Sequence, residues 1–141
     1  MRSILTCLLA MIGLTSACGH QEYDETDVEG FAKLLRQPDV VLLDVRTAEE
    51  YAAGHIEGAL HIDQGQGSFL KVVQAEVSTE QTIAVYCRSG RRSARAAAIL
   101  AAAGYKVTNL RGGILAWTHA GKPVSTQVRR DEVPADGLSA D

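Results

Sequence analysis

The sequence has few cysteines, few metal-ligating residues close together and no excess of positive charge, and each absence excludes a class of protein. Only three of the 141 residues are cysteines, Cys7, Cys18 and Cys87, which excludes a domain held together by several disulfides. Lys and Arg number 14 against 17 Asp and Glu, a net charge of −3. Nucleic acid is therefore not an expected partner, because phosphate binding depends on Lys and Arg. His61 and Asp63 lack the neighbours that a metal site requires, and no metal is predicted.

The sequence also lacks an apolar segment long enough to span a bilayer. Residues 4–14 form an apolar run of about 11 residues, whereas a transmembrane helix needs roughly 20. The run follows a positively charged start at Arg2 and precedes small residues at 15–17. This order is typical of a secretory signal peptide, which we predict over residues 1–17.

A cysteine directly after the small residues resembles the signal of a bacterial lipoprotein. The resemblance implies that Cys18 becomes the lipidated N-terminus and that the protein lies in the periplasm or cell envelope, anchored to a membrane by lipid. Thr15 stands where that signal usually has leucine, so plain secretion and an uncleaved anchor remain alternatives. Cys7 would be removed with the signal, which leaves Cys87 as the free thiol of the mature chain. A lone thiol exposed to oxidation outside the cytoplasm favours a chemical role.

Strand and helix patterns alternate through residues 26–123, which we predict to be the folded domain. Residues 18–25 are expected to be a tether, and residues 124–141 a flexible tail. Capping boxes at Thr26 and Thr47 predict helix starts. Strands are predicted at 40–45, 59–62, 83–86 and 106–110, and helices at 26–36, 47–54, 69–77, 93–103 and 113–120. This alternation predicts an α/β fold with a mostly parallel sheet and helices on both faces.

The segment after the strand at 83–86 carries the strongest chemical signal. Cys87 stands at the carboxyl end of that strand, where parallel sheets bind ligands, and a helix follows. Backbone N–H groups of such a loop can converge on the sulfur, and the helix dipole adds positive potential. Arg88, Arg91, Arg92 and Arg95 lie close by. These features lower a thiol pKa below its usual value of about 8.5 and predict a nucleophilic thiolate that attracts an anionic donor.

The alternative for Cys87 is a buried, inert cysteine, which leaves the arginine-rich loop unexplained. Arg92 either faces the donor or anchors the loop through a carboxylate, and Ser93 either caps the helix or contacts the donor. Arg95 is more simply a solvated helix residue. The residues that we expect to bind substrate are Arg88, Ser89, Gly90, Arg91, Arg92 and Ser93.

Several residues outside this loop are predicted to be architectural. Asp44 is expected to accept backbone hydrogen bonds while Arg46 pairs with Glu50. His55 could be a general base, but a hydrogen-bonded loop histidine is the interpretation we prefer, since a preformed thiolate needs no base. Trp117 is expected to cover the core.

Three segments, in this order along the chain, resemble signatures of the single-domain rhodanese family. They are residues 43–51 together with 54–59, residues 87–93, and residues 110–117. The resemblance spans about residues 26–123 and implies a five-stranded parallel sheet flanked by helices. It also implies that Cys87, without a cofactor, moves sulfur from thiosulfate or a persulfide to a thiol, cyanide or protein acceptor.

Two alternatives to this enzyme stay open at the level of sequence. Phosphatases and arsenate reductases of the same fold are similar, but the phosphatases have a loop one residue longer than the six residues from Cys87 to Arg92. A non-catalytic module that binds or delivers sulfur for a partner would have nearly the same sequence. A monomer is the expected oligomeric state.

Overall fold

The structure, a computed structural model, describes residues 22–128. The predicted signal peptide (residues 1–17), the lipidation site Cys18 and residues 129–141 of the predicted tail lie outside the described residues. No helix within 22–128 combines the length and the apolar composition needed to cross a bilayer.

Between residues 22 and 128, five strands form one sheet; four helices connect them, and a fifth helix follows the last strand. The strands are β1 (Asp24–Thr26), β2 (Val40–Asp44), β3 (Leu60–His61), β4 (Thr82–Tyr86) and β5 (Lys106–Leu110). The helices are α1 (Val28–Leu35), α2 (Ala48–Ala53), α3 (Phe69–Glu76), α4 (Arg91–Ala102) and α5 (Gly113–His119). The sheet order is β1-β5-β4-β2-β3, and all four strand pairs are parallel. The predicted α/β fold with a five-stranded parallel sheet is confirmed.

The central strands are apolar on both faces because helices cover both. Leu43 and Val85 face a core built with α3 and α4, whereas Leu42 and Ala84 face a second core built with α1, α2 and α5. This arrangement explains the continuous apolar runs of β2 and β4. Trp117 closes the second core as predicted, packed edge-on against a phenylalanine ring.

The N-terminal end of the domain differs from the prediction. Asp24–Thr26, expected to end a tether and open a helix, instead pair with β5 as an edge strand. The helix N-cap is Asp27, whose carboxylate accepts the Gly30 N–H at 2.8 Å. The capping box predicted at Thr26 is therefore wrong by one residue, since Thr26 belongs to β1. A polar strand of three residues carries no periodic apolar signal.

The ordered domain also continues past residue 123. The backbone of Ser125 forms an antiparallel bridge with His55, through hydrogen bonds of 2.7 and 2.8 Å. Residues that we assigned to a flexible tail, Val124–Gln127, are thus attached to the loop that follows α2.

Candidate active site

Cys87 directly follows β4, the strand that lies between β5 and β2 in the sheet. Helix α4 begins four residues later at Arg91, with Gly90 as its N-cap at φ +94°. This backbone conformation strongly favours glycine. The predicted strand–loop–helix arrangement is confirmed, although the helix begins two residues earlier than expected. We call residues 87–93 the cysteine loop.

Backbone and hydroxyl donors of the cysteine loop point at the sulfur. The Gly90 N–H lies 3.1 Å from Cys87 Sγ, and the Ser93 hydroxyl lies 3.3 Å from it. Burial opposes ionisation, but hydrogen bonds from the Ser93 hydroxyl and from the backbone of Ser93, Gly90 and Ser89 outweigh it. The pKa of the Cys87 thiol is therefore lowered below its ordinary value. The N-cap of α4 is Gly90 and not Ser93, whose hydroxyl contacts the Cys87 sulfur instead; contact between Ser93 and the donor stays a prediction.

The arginines of the cysteine loop have different surroundings. Arg92 forms a bidentate pair with Glu50, with N–O distances of 2.8 and 2.9 Å, so it anchors the loop to α2. Arg88, Arg91 and Arg95 are exposed and form no ion pair with any other residue between 22 and 128. The main groups that lower the thiol pKa are amides and a hydroxyl rather than these guanidinium groups. The exposed arginines remain available to an anionic ligand.

The first turn of α5 holds the carbonyl side of the cysteine loop. The Ile114 N–H donates to the Cys87 carbonyl oxygen at 2.9 Å, and the Leu115 N–H donates to the Arg88 carbonyl oxygen at 3.2 Å. Gly113, at φ +60°, has no space for a side chain, because an added Cβ would lie 2.5 Å from the Cys87 carbonyl oxygen. With two carbonyls turned toward α5, the amides that follow face the sulfur. This support was not predicted from the sequence, although the glycine pair at 112–113 is a signal for it.

Asn109 provides a further contact that the sequence analysis did not identify. Its side-chain amide donates to the Gly90 carbonyl oxygen at 3.2 Å and to a Glu25 carboxylate oxygen at 3.3 Å. Glu25 lies on β1, the strand that was expected to be a tether. A third carbonyl of the cysteine loop is therefore held by the strands on one side of β4.

A buried charged cluster lies next to the cysteine loop. The parallel register places Asp44 beside Tyr86, whose hydroxyl donates to the Asp44 carboxylate at 2.6 Å. Arg46 donates to the same carboxylate at 2.7 and 3.0 Å, and to the Gly54 carbonyl oxygen. Burial above all, and then the Asp44 charge, raise the pKa of Tyr86, so its hydroxyl remains a donor.

This cluster corrects one prediction and confirms another. Arg46 pairs with Asp44 rather than with Glu50, because Glu50 already binds Arg92 from α4. The Arg46 backbone N–H donates to Asp44 at 3.0 Å, so the expected role of Asp44 as a backbone acceptor is confirmed. Tyr86, the residue before Cys87, was not predicted from the sequence to belong to the site.

His55 is a hydrogen-bonded structural residue, the role that we preferred over a general base. It is 1% exposed, and its two ring nitrogens lie 2.8 Å from the carbonyl oxygens of Tyr51 and Gln127. Its ring also stacks on Tyr51 with centroids 3.7 Å apart. With both nitrogens facing carbonyls, the ring has no free position for proton abstraction. Between residues 22 and 128, no three His, Cys, Asp or Glu side chains are grouped to hold a metal ion.

A cavity of about 350 Å³ lies beside the cysteine loop. Arg88 lines it from the loop, Ile114 and Leu115 from α5, and Glu50 from α2. Val124, from the segment expected to be flexible, completes the lining on another side. Arg88, the exposed arginine that follows Cys87, thus faces a cavity of the size that small organic ligands occupy.

Replacing Ser93 with alanine is expected to raise the pKa of Cys87 toward its ordinary value, since the hydroxyl donor to the thiolate is lost. Alkylation by iodoacetamide at pH 7 should slow, and catalytic efficiency should fall roughly tenfold, as for one hydrogen bond to a charged group. The measurement is the alkylation rate against pH. Ser89→Ala, in the same loop but without a side-chain bond to the sulfur, should leave the pKa unchanged. An equal pKa of Cys87 in Ser93→Ala and in the unmodified protein would contradict the role of the Ser93 hydroxyl as a donor to the thiolate.

Replacing Glu50 with glutamine is expected to destabilise the fold by on the order of 1 kcal/mol at pH 7, because it breaks a half-buried bidentate pair. The Arg92 guanidinium lowers the pKa of Glu50 from 4.5 to about 2. Stability from this pair is therefore present above pH 4.5 and is lost as the pH falls toward 2. Urea unfolding at several pH values should show the difference between the two proteins shrinking over that range. Glu57→Gln, at an exposed site, is the control; a pH-independent difference for Glu50 would refute the explanation.

Comparison with known proteins places this geometry in a family. The sequence model of the rhodanese-like domain family matches residues 27–120 of this chain. A sulfurtransferase of Allochromatium vinosum is 39% identical over 103 residues, covering 72% of this chain and 94% of the relative. Thiosulfate sulfurtransferase 18 of Arabidopsis thaliana is 37% identical over 126 residues, covering 81% and 92%. The crystal structure of a rhodanese-related protein from Thermoplasma volcanium matches with a TM-score of 0.66 at 26% identity, covering 74% and 100%. The cysteine loop and the parallel sheet agree with these similarities in sequence and structure. The chain therefore belongs to the rhodanese family.

Proposed function

We propose that the protein is a sulfurtransferase that carries sulfane sulfur on Cys87 as a persulfide. The observation that carries the proposal is the convergence of the Gly90 amide and the Ser93 hydroxyl on the Cys87 sulfur at 3.1 and 3.3 Å. Donors already aimed at a negative charge stabilise it without reorganisation. They favour the thiolate before the reaction and, by the same chemistry, an anionic persulfide after it.

The reaction has two half-steps. In the first, the Cys87 thiolate attacks the outer sulfur of thiosulfate; a new sulfur–sulfur bond forms, the bond to the sulfonate sulfur breaks, and sulfite leaves with the electron pair. In the second, a nucleophilic acceptor attacks the outer sulfur of the persulfide and regenerates the thiolate. Family relatives named as sulfurtransferases support this reaction class. Thiosulfate is proposed as the donor because one of these relatives is named a thiosulfate sulfurtransferase.

The exposed arginines of the cysteine loop are the groups that we expect to attract the donor. Cys87 has no exposed surface, whereas the adjacent Arg88 and Ser89 are exposed. Because an arginine side chain is long and flexible, an incoming dianion can pair with Arg88 or Arg91 at the cysteine loop. These two arginines thus attract the anionic donor to the loop.

The direct test is the intact mass of the protein after incubation with thiosulfate. We expect a gain of one sulfur atom, sulfite in the supernatant, and loss of the added mass when cyanide is supplied. An unchanged mass, together with hydrolysis of a phosphate ester, would replace this proposal with a phosphatase. Localisation in the cell envelope through a lipid on Cys18 stays a prediction from the sequence.

A further inference from the structure

Charge is distributed very unevenly along the described part of the chain. Residues 22–80 contain 13 Asp and Glu against four Lys and Arg, whereas residues 81–128 contain seven Lys and Arg and neither Asp nor Glu. The second segment comprises β4, the cysteine loop, α4, β5 and α5. A chain of negative net charge thus has a positive half, and the cysteine loop lies within that half.

Helix α4 exposes part of this positive charge to solvent. Arg91, Arg95 and Ile99 follow one another at intervals of four residues, so they lie on one face of the helix. All three are exposed, Ile99 by 46%. The opposite face, which includes Ala96 and Leu100, is buried in the core. We call Arg91, Arg95 and Ile99 the α4 face.

The two arginines of the α4 face carry charges that the described part of the chain does not neutralise. Neither Arg91 nor Arg95 forms an ion pair with another residue between 22 and 128, and α4 itself contains no acidic residue. Their neighbour Arg92, in contrast, is neutralised by Glu50. The α4 face is therefore able to attract a negatively charged group from outside the chain.

The α4 face extends farther than a small anionic donor can reach. Arg91 belongs to the cysteine loop, and an α-helix rises about 1.5 Å per residue, so Arg95 and Ile99 lie about 6 and 12 Å farther along the helix. A single thiosulfate ion at the loop cannot also contact Ile99. Two positive charges in line with an accessible apolar side chain are suited to contact with the surface of another protein.

We propose that the α4 face docks an acidic protein whose cysteine accepts sulfur from Cys87; the proposal rests on the proposed function. Carboxylates of the partner pair with Arg91 and Arg95, which brings its cysteine to the cysteine loop. The partner's thiolate attacks the outer sulfur of the Cys87 persulfide. A new sulfur–sulfur bond forms on the partner, the bond to Cys87 breaks, and its electron pair returns to the Cys87 thiolate.

A protein suits the α4 face better than another polyanion does, because the acceptor must also supply a nucleophile. A cysteine provides a thiolate, whereas the phosphate groups of a lipid surface carry no thiol. The face is also small, since it covers only about two turns of one helix. A small contact based on charge is typical of transient encounters, and a sulfur carrier must release its partner after each transfer.

The experiment uses three synthetic peptides of equal length, each with a central cysteine flanked by glutamates, glutamines or lysines. The protein is loaded with sulfur from thiosulfate and freed of the donor, and the loss of the added mass is then followed after mixing with each peptide. This single turnover excludes any effect on the donor step. We expect the glutamate peptide to react about tenfold faster than the glutamine peptide at low salt, and the difference to shrink as salt is added.

Two substitutions of Arg95, which lies outside the cysteine loop, test the α4 face directly. Arg95→Gln should slow the glutamate peptide about threefold, the scale of an exposed ion pair. Arg95→Glu should slow it further and speed up the lysine peptide, a gain that damage to the fold would not produce. Each peptide's own reactivity cancels when the proteins are compared. Lys106→Gln removes an exposed charge at the opposite end of the sheet and should match the unmodified protein.

The outcomes separate this inference from the function on which it rests. If the unmodified protein gains no sulfur from thiosulfate, both fail. If the persulfide forms but Arg95→Glu leaves the rates of all three peptides unchanged, only the docking assignment fails. Sedimentation with phosphatidylglycerol vesicles tests a different partner. Vesicle binding that Arg95→Glu abolishes, without a charge preference among the peptides, would assign the α4 face to a membrane surface and overturn the proposal.

Discussion

The Cys87→Ser protein is expected to gain no sulfur from thiosulfate and to transfer sulfur at least on the order of a thousandfold more slowly than the unmodified chain, because a hydroxyl is a far weaker nucleophile than a thiolate. The substitution preserves size and leaves an oxygen that can accept the hydrogen bonds of Gly90 and Ser93. The fold should therefore persist, which urea unfolding can check. The measurements are intact mass after thiosulfate treatment and thiocyanate production from cyanide.

The matched control replaces a different cysteine. Cys18→Ser should retain both the mass gain and turnover, since that residue lies outside the domain that builds the site. A Cys87→Ser protein that still gained sulfur on another residue and turned over normally would contradict the assignment of the nucleophile. The two cysteine variants together thus distinguish a specific carrier from general thiol reactivity.

Replacing Gly113 with alanine is expected to have the second largest effect, although the residue does not contact the sulfur. An added Cβ would lie 2.5 Å from the Cys87 carbonyl oxygen and closer still to that of Arg88. The first turn of α5 must then withdraw, or the cysteine loop must shift. Either movement misaligns the amides that face the sulfur. We expect the pKa of Cys87 to rise, sulfur transfer to fall, and stability to drop by about 2–4 kcal/mol from the clash and the positive φ together.

A second glycine with a positive φ separates the effect of the steric clash from the effect of the backbone conformation. Gly121 has φ +76°, and an added Cβ there would meet nothing within 4 Å. Gly121→Ala should therefore lose only the conformational term of about 1 kcal/mol and should leave the Cys87 pKa unchanged. Urea unfolding and the pH dependence of alkylation measure both quantities. If the two alanine variants had the same thiol pKa, the proposed support from α5 would be wrong.

The residue pairs around the site show which contacts the sequence alone does not predict. Arg46 and Glu50 are close together in the sequence, which favoured a pair between them. In the structure, Arg46 instead binds Asp44, two residues away, and Glu50 binds Arg92, 42 residues away. The choice between these partners depends on how α4 packs beside α2. That packing follows from the strand order, which local sequence does not encode. Tyr86 and Asn109 were missed for the same reason, since their partners Asp44 and Glu25 come from neighbouring strands.

The sequence by itself determined the class of fold and predicted Cys87 as the nucleophile. Apolar runs and helix patterns depend on residues near one another in the chain, so they predicted the strands, the helices and the position of Cys87 between β4 and α4. Only the tertiary structure decided which residues hold the loop carbonyls and what lines the cavity. These contacts join segments far apart in sequence, because the parallel crossovers bring α2, α4, α5 and the Val124 segment to one edge of the sheet.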